Sequence, residues 1–194
     1  EGQTATRQLD GIAALGQALA AALGVPVERL WSMENGYALC SQAGLRLISE
    51  HLRALQEPEI DALRELLCVG VQRDVQVTDG IDDPGRLVSQ IFCSALPVAY
   101  TNVPAPYWES FASLVLEAAY EATLLEAVLN ARRGRSNVTF LTALGGGAFG
   151  NRQAWIIAAM RRALQRVQRY ALDLRVVSFG ARNPEIDSLL DEFG

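Results

Sequence analysis

Apolar residues at Phe111, Leu114, Val115, Ala118, Ala122 and Leu125 recur every three or four positions, which predicts a helix over residues 107–130. Trp155, Ala159, Ala163 and Val167 repeat in the same way and predict a second amphipathic helix over 152–170. Residues 11–23 are rich in alanine and leucine and stop at Gly24, with Pro26 just beyond, the signature of a helix with its end signal. Residues 42–67 read as helical with an interruption at Glu57-Pro58, and 184–193 as a short final helix. Between these, residues 27–33, 75–78, 90–99, 138–144 and 174–179 carry the β-branched and apolar runs of strands. Residues 79–85, Asp-Gly-Ile-Asp-Asp-Pro-Gly, are a loop by composition.

Strands apolar on both faces, alternating with helices, predict an α/β fold: three α/β/α layers around a mixed, mostly parallel sheet. A chain of 194 residues suits one such domain, spanning 1–194. Loops after the strand ends would then share one rim, made by residues 33–38, 79–85, 97–106, 145–151 and 179–183.

The segment Leu144-Gly145-Gly146-Gly147-Ala148-Phe149-Gly150-Asn151 lies between an apolar strand and a helix. Glycines there allow close backbone approach, so successive amide N–H groups can face an anion. Asn151 suits an N-cap, and the helix after it adds the positive end of its dipole. The chemistry that fits is phosphate binding by backbone alone, and the bland alternative is a tight turn that merely needs glycine. A Walker loop is excluded, since no Gly-Lys-Ser/Thr follows. Gly145-x-Gly147-x-x-Gly150 matches the dinucleotide fingerprint, but only one strand follows it and that strand closes Ser178-Phe179-Gly180 without an acidic residue.

Charge and cysteine content narrow the function classes. A net charge of −5 and a pI near 5.0 argue against nucleic acid as a partner, which would need a basic face. The clusters Arg132-Arg133-Gly134-Arg135 and Arg161-Arg162 read as solvated helix ends. Cys40, Cys68 and Cys93 form no Cys-x-x-Cys pair and only His51 could join them, so no metal is expected. Cys68 and Cys93 sit in apolar runs and predict buried free thiols, consistent with a reducing, cytoplasmic compartment. No leader pattern and no apolar run of membrane-spanning length is present, so a soluble, intracellular monomer is expected, with no membrane partner.

The stretch from Phe140 through Asn151 resembles the second ligand loop of the macrodomain family: a buried strand, a glycine-rich turn, an aromatic-glycine pair and a helix. Val88 to Tyr100 is similar to the macrodomain strand that ends in a proline and an aromatic. The likeness covers roughly residues 75–193 and is closest to a divergent, MavL-like group of arginine-specific ADP-ribosylhydrolases. It implies that Gly145, Gly146, Gly147, Ala148, Phe149, Gly150 and Asn151 wrap a diphosphate, with Phe149 against the distal ribose. Phe179 and Asn183 would flank the adenine, although Phe179 fits equally as core at the sheet edge. Asn35 corresponds to the last asparagine of the family's Asn-Ala-Ala-Asn segment. The glycine triplet of the usual first loop is absent, as is the double-glutamate signature of poly(ADP-ribose) glycohydrolases. The ligand so implied is ADP-ribose, free or on a mono-ADP-ribosylated protein, with no other cofactor.

Breaking an N-glycosidic bond to arginine needs a carboxylate near the distal ribose to stabilise positive charge or position a water. Asp79, Asp82 and Asp83 share one loop on the expected rim and are the candidates for catalysis, against a plain solvated turn before Pro84. Glu34 and Glu109 are lesser candidates. No Gly-x-Ser-x-Gly elbow exists, and His51 lies on a charged helix, so nucleophilic triads find no support. Two alternatives stay open: a module that binds ADP-ribose without turnover, and a dinucleotide-binding domain.

Overall fold

The computed structural model describes Thr4 and residues 9–78, 85–178 and 182–193. Helix α1 (Ala13–Leu23) ends at Gly24, whose φ of 64° caps it in the left-handed region. A 3₁₀ turn (Val27–Arg29) leads into the strands β1 (Trp31–Glu34) and β2 (Tyr37–Cys40). Helix α2 (Gln42–Ala54) starts at Ser41, whose Oγ accepts the Gly44 N–H at 3.0 Å. Helix α3 (Glu57–Arg64) begins where the Gln56 N–H donates to Glu59 at 2.8 Å. Strands β3 (Gly70–Gln76) and β4 (Leu87–Phe92) follow, then a second 3₁₀ turn (Val98–Tyr100) and helix α4 (Ala105–Arg132). The chain closes with β5 (Val138–Thr142), α5 (Gln153–Val167), β6 (Asp173–Val177) and α6 (Pro184–Asp191).

Helix α4 is the axis of the core. Trp108, Phe111, Leu116 and Leu124 are fully buried, because α2, α3 and α5 pack around it. Trp31 of β1 stacks on Phe111, with ring centroids 5.2 Å apart, and so ties the first hairpin to the same core. A charged seam joins α3, α4 and α5. Arg64 is 9% exposed and donates to Glu57 and Asp61 at 2.7 Å and to Glu117 at 2.8 Å. Arg162 hydrogen-bonds Asp61 and Glu121, and Arg166 reaches Asp61 at 2.7 Å. Arg162 is therefore a bridging residue between helices rather than part of a solvated helix end.

The mixed class of helices and strands is as expected, but the strands pair differently. Among the described residues they form three separate two-stranded ladders. β1–β2 and β3–β4 are antiparallel and only β5–β6 is parallel. The reason is connection length: two residues join β1 to β2, enough for a hairpin, whereas β5 and β6 are joined through the whole of α5, as a parallel pair requires. Three strand boundaries also move. Val27–Arg29 is a 3₁₀ turn, with Leu30 as its cap, leading into β1 and not the start of a strand. The strand expected over 75–78 runs from Gly70 to Gln76, and the one expected over 90–99 ends at Phe92. Ala95, Leu96 and Val98 are apolar because they are buried, not because they are paired.

Candidate functional site

The glycine loop hangs from a fixed root. At the end of β5 the buried Tyr120 hydroxyl donates to the Thr142 carbonyl at 2.7 Å and accepts the Leu144 N–H at 2.8 Å. Burial pushes this phenol's pKa up, so it stays protonated and keeps both bonds. The loop then closes on itself: Gly146 donates to Ala143 at 3.1 Å, Gly150 to Gly147 at 3.0 Å and Asn151 to Gly145 at 2.9 Å. Between these closures, the N–H groups of Gly147, Ala148 and Phe149 have no acceptor among the described residues. Three consecutive free donors thus lie on the loop just before the N-terminus of α5, a backbone arrangement of the kind that suits an anion.

The glycines divide by cause. Gly145 has φ of +73°, and a Cβ there would lie 2.4 Å from the Ala95 Cβ. Gly150 has φ of +71°, and its Cβ would lie 2.8 Å from that of Ala99. Folding alone requires both. Gly147 meets nothing within 4 Å and does not sit at positive φ. A tight turn explains Gly145 and Gly150, while no neighbouring protein atom requires glycine at position 147.

Asn151 is not the N-cap of α5. That position belongs to Arg152, which makes no side-chain cap. The Asn151 side chain is instead buried, 5% exposed, and its amide donates to Leu96 at 2.9 Å and Gly145 at 3.3 Å. It clamps the glycine loop to the segment leading into the second 3₁₀ turn. The Ala99 N–H adds a second tie by donating to the Phe149 carbonyl at 2.9 Å.

A third segment reaches the loop. Asn35 (φ 52°) and Gly36 (φ 83°) form the two-residue turn of the β1–β2 hairpin, with Glu34 paired to Tyr37. The Tyr37 ring lies 5.2 Å from that of Tyr100 and 5.7 Å from that of Phe149, and Tyr100 and Phe149 are 5.4 Å apart. All three contacts are edge-to-face, with interplanar angles of 74°, 83° and 87°. The rings wall the loop on the side of Phe149, whose own N–H is one of the free donors. Asn35 thus sits in the turn beside this wall. Tyr37 and Tyr100 are the site residues that sequence reasoning missed. The Asn-Gly pair between short apolar segments was the signal for the hairpin that carries Tyr37.

The remaining candidates scatter. Asp79, Asp82, Asp83 and Phe179 lie outside the described residues. Asn183 is the N-cap of α6, accepting the Glu185 N–H at 3.0 Å. Next to it an open cleft of about 480 Å³ runs between α5 and α6, lined by Ala154, Ile157, Arg161, Pro184, Glu185 and Ser188. Glu109 is exposed on the first turns of α4 and, among the described residues, makes no hydrogen bond to the loop. Glu34 is exposed and accepts the Ser32 hydroxyl at 3.3 Å.

The three cysteines are free. Cys40 is the buried one, its thiol pushed up to about 12 by burial, while Cys68 is exposed and Cys93 half-buried, the reverse of the expectation for Cys68. Among the described residues no group of His, Cys, Asp and Glu could hold a metal, and no helix is long and apolar enough to cross a membrane. Comparison of the chain with protein-family models, with curated proteins and with solved structures finds no match.

Proposed function

We propose that the chain binds ADP-ribose and hydrolyses mono-ADP-ribose from protein side chains, arginine being the acceptor. The observation that carries this is the run of free N–H groups at Gly147, Ala148 and Phe149, beside a glycine whose missing Cβ no protein atom requires. A diphosphate needs several aligned donors and close approach to the backbone, and this loop offers both without a lysine or a metal. Gly145 to Asn151 would wrap the diphosphate, Phe149 would lie against the distal ribose, and Asn35 would stand at the mouth. Phe179 and Asn183 would flank the adenine, and the α5–α6 cleft beside Asn183 supports placing the base at that end.

In the same proposal the fold is macrodomain-like, with β5–α5–β6 as the parallel part of an α/β/α arrangement. Catalysis is assigned to the segment holding Asp79, Asp82 and Asp83. A carboxylate there would stabilise the oxocarbenium-like transition state or take a proton from the attacking water as the guanidinium departs. The second reading is a binder without turnover. It is favoured by the described part of the site, where amide donors and rings surround the loop and no carboxylate hydrogen-bonds to it.

Calorimetry with ADP-ribose and NAD, and release of ADP-ribose from an arginine-modified protein, test both. Turnover lost in Asp82→Ala or Asp83→Ala with ADP-ribose affinity retained supports the hydrolase. Turnover that survives removal of Asp79, Asp82 and Asp83 together refutes the catalytic assignment, and no ADP-ribose binding at millimolar concentration refutes both readings.

A further inference from the structure

The hairpin carries more than a ring to the loop. In an antiparallel ladder, directly opposed residues project from the same face. Glu34 is opposed to Tyr37 and Ser32 to Leu39, so these four share one face. Trp31, Ala38 and Cys40 share the other and are buried in the core. The Glu34 carboxylate is therefore on the face of the hairpin from which Tyr37 meets Tyr100 and Phe149. Its only described contact is a 3.3 Å hydrogen bond from Ser32, and it is exposed.

Three rings at angles of 74°, 83° and 87° to one another, with a carboxylate on the same face of the adjoining strand, make an aromatic corner beside one acidic side chain. Tyr100 is 46% exposed, so the corner opens to solvent rather than closing as core. Among the described residues no arginine is found stacked over these three rings. The arginine–ring contacts described in the chain join Arg132 and Arg169 to Tyr170, Arg152 to Trp155 and Arg175 to Phe140. Ring faces with a nearby carboxylate recognise flat or alkylated cations, and a guanidinium both stacks on rings and fits a carboxylate.

We propose that Glu34, Tyr37, Tyr100 and Phe149 form a cation-accepting corner that receives a guanidinium on the acceptor side of the ligand. This rests on the diphosphate lying in the glycine loop, since Phe149 belongs to both. The corner selects an arginine acceptor over a neutral or acidic one by binding the side chain, and it takes no part in bond cleavage.

The test is a titration of the full chain, with and without saturating ADP-ribose, with agmatine and with its neutral urea analogue, followed by ring-proton NMR. Agmatine is expected to shift the resonances of the three rings and to bind about tenfold more tightly than the urea. Glu34→Gln and Tyr100→Leu should each bring that ratio close to one. Equal affinity for the two compounds, or a preference that survives both substitutions, overturns the corner. If ADP-ribose binds and the agmatine preference is absent, the corner alone fails. If the preference holds and ADP-ribose does not bind, the diphosphate assignment fails and the guanidinium site stands without it.

Discussion

Replacing Gly147 by valine separates ligand binding from folding, because the two causes of glycine in the loop fall on different residues. A Cβ at position 147 meets no atom within 4 Å and the backbone there is not left-handed. Gly147→Val should therefore change stability by no more than about 0.5 kcal/mol. It places an isopropyl group where a diphosphate must touch the backbone, next to the free donors of Gly147, Ala148 and Phe149. A hydrogen bond to a charged group is worth about 1.5–3 kcal/mol, so losing two of the three weakens binding by about a hundredfold or more. The contrasting variant is Gly145→Ala. Its Cβ would sit 2.4 Å from Ala95 and 2.6 Å from the Asn151 amide, at φ of +73°. Left-handed strain of about 1–2 kcal/mol and overpacking of about 1–3 kcal/mol together predict a loss of about 2–5 kcal/mol. Urea denaturation measures the first quantity for both variants and calorimetry with ADP-ribose the second. Gly147→Val with unchanged melting and affinity within about threefold of the parent would refute the cradle, and a Gly145→Ala chain as stable as the parent would refute the packing assignment.

Asn151→Leu should cost about 1–3 kcal/mol in urea denaturation, since it strips the side-chain donor from the buried Leu96 carbonyl and one of the two donors from that of Gly145. Arg64→Met removes a buried partner shared by Glu57, Asp61 and Glu117, while Asp61 keeps Arg162 and Arg166, and should destabilise by about 1–3 kcal/mol, measured in the same way. Burial alone would raise the Asp61 carboxyl, but hydrogen bonds from Arg64 and Arg166 and the charge of Arg162 outweigh it and hold Asp61 below the usual carboxylate range. A lowered folded-state pKa gives stability that is present above the unfolded value and lost as pH falls through the folded one. Melting temperature should thus be flat above about pH 5 and fall below about pH 4, with a shallower fall in Arg64→Met. Native alkylation at pH 8, read by mass spectrometry, should label the exposed Cys68 first and leave Cys40 unmodified until the chain unfolds, because the thiolate is the reactive form and burial holds that thiol near 12.

The amino-acid sequence by itself determined the helices and the glycine loop. The spacing of Phe111, Leu114, Val115 and Ala118 marks α4 to within two residues at each end, and Trp155 through Val167 marks α5. Both follow from local chemistry: a helix satisfies its own backbone, so its apolar face is written in one continuous segment. Strand pairing is not written that way. Ala95, Leu96 and Val98 carry the same apolar signal as a strand, yet they lie in the core unpaired, because burial and ladder formation select the same residue types. Whether two strands pair depends on which distant segments the core brings side by side. The site divides likewise. Gly145 to Gly150 are contiguous and legible, although which of their glycines the fold needs emerges only from Ala95 and Ala99 packing against them. Tyr37, Tyr100 and Phe149 come from a hairpin, a 3₁₀ turn and a loop, and only the packing of those three around α4 and β5 made them one surface.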